Sequence, residues 1–322
     1  MRRAIRRPAA FAAISAVTAV TLVLVVPAAQ ARATAPVTNG RIAFNIDGPH
    51  GGEIDVIRRD GTGLQRLVHG DGDANSADWS PDGRRIAFEL DHPSGPTECS
   101  VEIVNADGSG IVDLTGQRRG CERSPSFTPD GRRIVFVARR CGDCAEAVWS
   151  MDLRGGHRRK IKRTPQGTHA IDPNVSPDGG IVTFVAERRA GKRALYRVNM
   201  NGSNLEQIVP FGFDVGVVHG WSPDGGHIVL TVYSEYPDGH SPNVVTILPD
   251  GSGLVELTHE TGDRGAGGAS YSPDGRWIIF RLQDLSKDKF ALWKMHPDGS
   301  DRTRITRLRF QPFGIDWGPR PT

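Results

Sequence analysis

The feature that most constrains this chain is a phrase it repeats. Asp78-Trp79-Ser80-Pro81-Asp82-Gly83, continued by Arg84-Arg85-Ile86-Ala87-Phe88, has near-copies at Ser126-Phe127-Thr128-Pro129-Asp130-Gly131, Asn174-Val175-Ser176-Pro177-Asp178-Gly179, Gly220-Trp221-Ser222-Pro223-Asp224-Gly225 and Ser270-Tyr271-Ser272-Pro273-Asp274-Gly275. The prolines stand at 81, 129, 177, 223 and 273, so the unit recurs every 46 to 50 residues. A fixed period of that size marks stacked supersecondary units, a propeller or a solenoid, and outweighs the two-domain prior that length alone gives.

Each copy encodes a turn and a strand. Proline presets φ at the second turn position, Asp suits the third, and Gly accepts the left-handed conformation that closes the hairpin. Five and seven residues past the proline stand Ile86 and Phe88, Ile134 and Phe136, Val182 and Phe184, Ile228 and Leu230, Ile278 and Phe280. The intervening Ala87, Val135, Thr183, Val229 and Ile279 are also apolar or small, so this strand is expected to be covered on both faces. A second punctuation comes at Asp60-Gly61, Asp107-Gly108, Arg154-Gly155, Asn201-Gly202, Asp250-Gly251 and Asp298-Gly299. Six residues beyond each of these glycines comes one apolar residue, Leu67, Leu114, Ile161, Ile208, Leu257 or Ile305, which sets the register of a last strand. The unit therefore reads as four short strands joined by hairpins, and the Asp of each Asp-Gly pair as a turn residue rather than a metal ligand.

A sixth copy is split between the chain ends. Asp316-Trp317-Gly318-Pro319 matches the first half of the phrase, and Asn39-Gly40-Arg41-Ile42-Ala43-Phe44 matches the second. The expected fold is all-β: a six-bladed β-propeller with four antiparallel strands per blade, the first blade closed by the C-terminal strand, which leaves no open edge.

Residues 1–33 read as a secretory signal peptide preceding a short linker (34–38) and the propeller (39–322). Arg2, Arg3, Arg6 and Arg7 form a basic start, Phe11 to Val26 carries no charge, and Ala29-Gln30-Ala31 and Ala31-Arg32-Ala33 offer cleavage sites. The rival is a retained membrane anchor, the one membrane association foreseen. The whole chain has 40 Lys+Arg against 37 Asp+Glu; cleavage after Ala31 leaves 36 against 37, so no global basicity points to nucleic acid. Cys99, Cys121, Cys141 and Cys144 in an exported chain point to disulfides. Local closure favours Cys99–Cys121 with Cys141–Cys144, and a four-thiolate zinc site is the alternative because Cys141-Gly142-Asp143-Cys144 has a zinc-knuckle spacing.

The aromatic-Ser-Pro-Asp-Gly-x-x-Ile-x-Phe phrase, continued by Asp-Gly-Ser/Thr, resembles the TolB-type β-propeller repeat family over roughly residues 38–322, without the α/β domain that TolB carries before its propeller. The resemblance implies the fold. Relatives of the repeat serve as binding scaffolds, or belong to prolyl-oligopeptidase-type peptidases or to lyases, so fold alone does not choose a function.

The loops between second and third strands, and the links between blades, are the longer ones and belong to one face. That face holds the four cysteines, His50, His69, His92, His169, His219, His240 and His259, and Asp71, Asp73, Glu122, Asp172, Asp214 and Asp263. It is the candidate binding surface, against the alternative that long loops simply collect polar residues. Asp78, Ser126, Asn174, Gly220, Ser270 and Asp316, read as standing just before each inner strand, approach the channel mouth. With Asp172 and His219 they offer a site for a small cation or polar ligand, or else line a water-filled channel. The candidate ligand-binding residues are His69, Asp71, Asp78, Asp172, His219 and Asp316. The densest charge run, Arg154 to Arg163, lies on an outermost strand and reads as edge protection or as a patch for an anionic polymer. No nucleophile elbow, His-Glu-x-x-His or phosphate loop occurs, so no catalytic residue, metal or cofactor is expected.

Two functions remain open on these grounds. One is a monomeric, exported, non-catalytic scaffold binding a protein or cell-envelope polymer. The other is a lyase or hydrolase acting on saccharides, which would need two or more of His69, Asp172, His219 and Asp316 to converge on one pocket.

Overall fold

The computed structural model describes residues 37–48, 51–70, 72–92, 97–116, 120–139, 146–189, 191–233 and 241–321. Strand succeeds strand along the whole of this length. The chain opens with β1 (Asn39–Gly48), β2 (Gly51–Arg58) and β3 (Gln65–Val68). β4 (Asp73–Trp79), β5 (Arg85–Asp91), β6 (Thr97–Asn105) and β7 (Val112–Asp113) come next, then β8 (Gly120–Phe127), β9 (Arg133–Arg139), β10 (Ala147–Asp152) and β11 (Arg159–Arg163). β12 (Thr168–Val175), β13 (Ile181–Arg188), β14 (Arg193–Asn199) and β15 (Glu206–Val209) precede β16 (Val215–Trp221), β17 (Ile228–Tyr233), β18 (Pro242–Ile247) and β19 (Val255–Glu256). β20 (Arg264–Tyr271), β21 (Ile278–Asp284), β22 (Lys289–Met295), β23 (Thr303–Leu308) and β24 (Pro312–Pro319) complete the order. Among the described residues no helix is long and apolar enough to cross a membrane.

The Ser-Pro-Asp-Gly turn works as its composition dictates. Ser80 Oγ donates to Asp82 Oδ1 (2.6 Å) and accepts from Arg85 N–H (2.9 Å), while Gly83 N–H closes onto Ser80 O (2.8 Å) with φ +66° at Gly83. The same hydroxyl–carboxylate lock recurs at Thr128/Asp130, Ser176/Asp178, Ser222/Asp224 and Ser272/Asp274. Beyond each turn the second strand is covered on both sides. Ile86, Ala87, Phe88, Ile134, Val135, Phe136, Val182, Thr183 and Phe184 are at most 1% exposed, and burying each large side chain contributes about 1.5–3 kcal/mol. The Asp-Gly turns explain the apolar register further on. A Cβ at Gly155 would strike the Leu114 carbonyl, and one at Gly202 that of Ile161, so each turn seats on the last strand of the preceding unit.

Innermost strands β24, β4, β8, β12, β16 and β20 contact one another in cyclic order. β24 runs antiparallel to β1, with Ile42 opposite Trp317 and Ala43 opposite Asp316. The expectation of six blades, each of four antiparallel strands, is corrected by the hydrogen bonding. Only four sheets among the described residues are separate four-stranded blades: β24-β1-β2-β3, β12 to β15, β16 to β19 and β20 to β23. The other eight strands form one continuous sheet, β11-β10-β9-β8-β6-β5-β4, with β7 on β6. The join is parallel, Thr97 opposite Gly120 and Cys99 opposite Cys121. β6 runs on to nine residues, and a Cys99–Cys121 disulfide holds the two Cα atoms 4.6 Å apart. The backbone ladder thereby crosses a groove that elsewhere separates neighbouring sheets.

Candidate functional site

The inner strands enclose a cavity of about 860 Å³. Pro81, Pro129, Pro177, Pro223 and Pro273 ring its short-turn end, and Glu89, Arg123, Glu146, His169, Glu187, Val217 and Phe313 stand toward the long loops.

A bulge shapes its wall. The pairing of each inner strand with its neighbour slips between Asn75 and Asp78, Arg123 and Ser126, Ile171 and Asn174, Val215 and His219, Gly267 and Ser270, and again where β24 meets β1. Left-handed φ values mark the slip at Ser76 (53°), Ser124 (50°) and Asp172 (51°). Such bulges turn the strand and re-aim the side chains next to them.

These re-aimed side chains latch one inner strand to the next. Asp316 Oδ2 accepts Trp79 N–H (2.8 Å), Asp78 Oδ2 accepts Phe127 N–H (2.7 Å), and Asp172 Oδ2 accepts His219 N–H (3.0 Å). Asn174 does the same work with the opposite sign, donating from Nδ2 to His219 O (3.2 Å), and Ser270 Oγ donates to Asp316 Oδ1 (3.2 Å). Burial pushes the Asp78 carboxyl well above its ordinary range; the Asp316 charge adds to this, and the Phe127 N–H opposes it. Asp316 is raised too, chiefly by burial, against the N–H of Trp79 and the Ser270 hydroxyl. Two carboxylates lining one channel disfavour each other's ionised form.

His219 Nδ1 lies 3.0 Å from Asp172 Oδ2, without the alignment of a hydrogen bond. His219 Nε2 lies 2.8 Å from Thr183 Oγ1, which also accepts the indole N–H of Trp221 (3.1 Å). With the His219 side chain 1% exposed, both ring nitrogens are turned into protein.

A further layer gives no sign of itself in the sequence expectations. Glu89 is buried, and its Oε2 accepts the N–H of Ser124, the bulge residue of the neighbouring strand β8 (3.0 Å). Burial, then the charge of Asp91, pushes Glu89 up to about 7, against the Ser124 N–H and the Arg123 charge. Buried Glu146 accepts Arg123 Nη2 (2.9 Å) and Ala170 N–H (2.9 Å), with His169 Nδ1 at 3.4 Å. The available signal is the position eight past the proline, occupied by Glu89, Val137, Val185, Thr231 and Arg281. Where polar it latches onward: Thr231 Oγ1 accepts Gly268 N–H (3.0 Å) and Arg281 Nη1 donates to Pro312 O (3.1 Å).

Of the sequence-predicted residues, Asp78, Asp172, His219 and Asp316 therefore line one cavity. His69 does not; it is exposed just past β3, on the outer rim. Asp71, Cys141 and Cys144 lie outside the described residues, as do His50 and His240. The Cys99–Cys121 bond removes two sulfurs from any four-thiolate zinc site. It also occupies the sulfur in the one trio of potential metal ligands among the described residues, Glu89, Asp91 and Cys99, whose ligand atoms lie within 4.8 Å.

Comparison with known proteins gives this wall a context. Residues 37–320 match the family described as TolB beta propeller domain. The uncharacterized protein Atu1656 of Agrobacterium fabrum is 26% identical over 235 residues, 71% of this chain and 72% of that one. The uncharacterized peptidase YuxL of Bacillus subtilis is 25% identical over 206 residues, which are 63% of this chain but only 28% of the peptidase. Among solved structures, TolB from Acinetobacter baumannii is similar with a TM-score of 0.70 at 21% identity, covering 87% of this chain and 67% of that one, a likeness of fold alone. With the family match running through nearly the whole described length, the chain belongs to the TolB beta propeller domain family.

Proposed function

We propose that this protein is an exported, non-catalytic binding module that works at the cell envelope or outside the cell. In this reading residues 1–33 direct export, residues 39–322 act as a monomer, and the long-loop mouth of the channel receives a segment of a protein or envelope polymer. The reading rests on one observation above all: the four candidate residues that converge on the cavity, Asp78, Asp172, His219 and Asp316, already face partners within the protein. Asp78, Asp172 and Asp316 each hold a backbone N–H, and both nitrogens of His219 face protein. A general base must reach a substrate proton, and His219 offers no nitrogen for it. Asp172, His219 and Asp316 do share one pocket, which is the convergence a saccharide lyase or hydrolase requires; their engagement weighs against that second reading.

Val217 supplies the test, because it lines the mouth and is 38% exposed. Val217→Trp narrows the entrance without touching a latch. The wild-type protein, immobilised and challenged with envelope extract, is expected to retain a component that V217W loses at unchanged unfolding temperature. Equal retention by both proteins contradicts binding at the mouth. Release of unsaturated or reducing ends from acidic polysaccharide by wild type, lost in Asp172→Asn, establishes the enzymatic reading instead.

A further inference from the structure

The outer strands differ from one another far more than the inner ones. β3 carries Arg66, paired with Glu53 (2.6 Å) and Asp55 (3.6 Å). β7 carries Asp113, β15 carries Glu206 paired with Arg197 (2.6 Å), and β19 carries Glu256. β11 and its turn instead hold Arg154, Arg158, Arg159, Lys160, Lys162 and Arg163. Arg158 is spent on buried Glu122 at 2.5 Å. Arg154, Arg159 and Arg163 are exposed, and among the described residues none has a carboxylate partner. Guarding a strand edge against aggregation does not by itself explain this, since β3, β7, β15 and β19 manage with one ionic side chain or a compensated pair; the remaining edge, β23, also carries exposed Arg304 and Arg307, and what β11 and its turn add is a third exposed arginine and an adjoining cleft.

A cleft of about 560 Å³ lies beside β11, lined by Arg133, Arg159 and Lys160 and by Asp130 and Asp178. The two aspartates are locked in their own turns, Asp130 by Thr128 Oγ1 (2.6 Å) and Arg132 N–H (3.0 Å), Asp178 by Ser176 Oγ (2.6 Å) and Gly180 N–H (2.9 Å). They stay ionised, leaving the cleft itself barely cationic. A lone anion would gain little there; a chain of anions running from the cleft along β11 would meet Arg159 and, beyond the bulge that shifts the β10–β11 register, Arg163. Stable protein interfaces bury an apolar centre, and among the described residues no large exposed hydrophobic side chain lies between residues 120 and 210.

We propose that β11 and the adjoining cleft bind a linear polyanion, a polymer carrying phosphate or carboxylate groups at regular spacing. This surface is separate from the channel mouth, so it stands or falls independently of the binding role given to that mouth. The test measures binding of the purified full chain to long-chain polyphosphate, to polygalacturonate and to neutral dextran at 50 and 300 mM NaCl. The proposal expects at least one polyanion to bind, dextran not to bind, and affinity to fall at least about tenfold at the higher salt as counterions screen the contacts. The stronger of the two polyanions identifies phosphate or carboxylate as the preferred group. R159E/R163E should lose at least about tenfold, while R304E/R307E on β23, with the same change in net charge, should lose less than about threefold. Wild type alone gives a second readout: acetylation of Lys160 and Lys162 should slow in the polymer, and that of Lys289 should not. No polyanion binding at 50 mM NaCl, equal loss from both double variants, or uniform lysine protection overturns the proposal.

Discussion

On the inner wall, Asp78, Asp172 and Asp316 each accept a backbone N–H from the next strand of the ring. On the outer rim at β11, Arg154, Arg159 and Arg163 face solvent with no carboxylate beside them. The inner carboxylates tie strand to strand, whereas of the β11 cations Arg158 is tied to Glu122 and the exposed arginines meet no carboxylate among the described residues. The inner wall therefore keeps its form from repeat to repeat by its own mechanics, Asn174 standing in where Asp78 and Asp316 use a carboxylate. The rim is free to differ. Charge count does not separate structural from recognition residues here; the partner of each charge does.

Deleting residues 313–322 removes the inner strand that pairs with β1 and supplies Asp316. We expect a drop of at least about 5 kcal/mol, a large part of a domain's stability, seen as a much lower melting temperature or as no folded protein. An unchanged melt would mean the ring does not depend on its last strand. Next is the fused sheet: Cys99→Ala/Cys121→Ala, closing no 22-residue loop, should lose roughly 2–4 kcal/mol, and reducing agent should lower the wild-type melting temperature but not the variant's.

The latches come third. Asp78→Ala leaves the Phe127 N–H without its acceptor and should cost about 1–3 kcal/mol. Asp78→Asn keeps an acceptor and removes repulsion from Asp316, so at pH 7 it should be no less stable than wild type. If both variants fall equally, the carboxylate charge matters and the latch account is wrong.

Glu89 sharpens the same point by pH. Its folded pKa of about 7 lies above the ordinary 4.5, so the neutral form is favoured in the fold. The stability it contributes is full below about pH 4.5, is lost as pH rises toward 7, and is gone above that. Glu89→Gln should flatten the melting temperature across this window, measured by calorimetry at half-unit steps; an identical profile in both proteins would place the titration elsewhere. The smallest effect belongs to the rim, where R159E/R163E should change stability by no more than about 0.5 kcal/mol, as exposed charges do.

Much of this is legible in the residues. The Ser-Pro-Asp-Gly turn, the doubly covered strand from Ile86 to Phe88 and the apolar register at Leu67 and Ile161 all arise from local chemistry repeated at one period. The joining of β6 to β8 does not, because a repeat specifies pairing within a unit and is silent on pairing between units; the Cys99–Cys121 bond, the pairing that local closure favours, lies at that join. For the site, Asp78, Asp172, His219 and Asp316 line one cavity because each stands within an inner strand at or beside its bulge. His69 is grouped with them by loop membership and sits on the rim instead. Glu89 and Glu146 escape a reading of the sequence because the position eight past each proline changes residue type from unit to unit, and Glu146, just before β10, has no such periodic position until its partners Arg123 and Ala170 are known.

The most direct measurement pairs two readouts on two variants. Melting temperature and retention of envelope components are measured for Asp316→Ala, an inner latch, and for Val217→Trp, at the mouth. Asp316→Ala should melt lower and, kept below its melting temperature, still bind, while V217W should melt as wild type and no longer bind. Binding lost in Asp316→Ala at a temperature where it is folded, with V217W binding normally, would contradict both assignments.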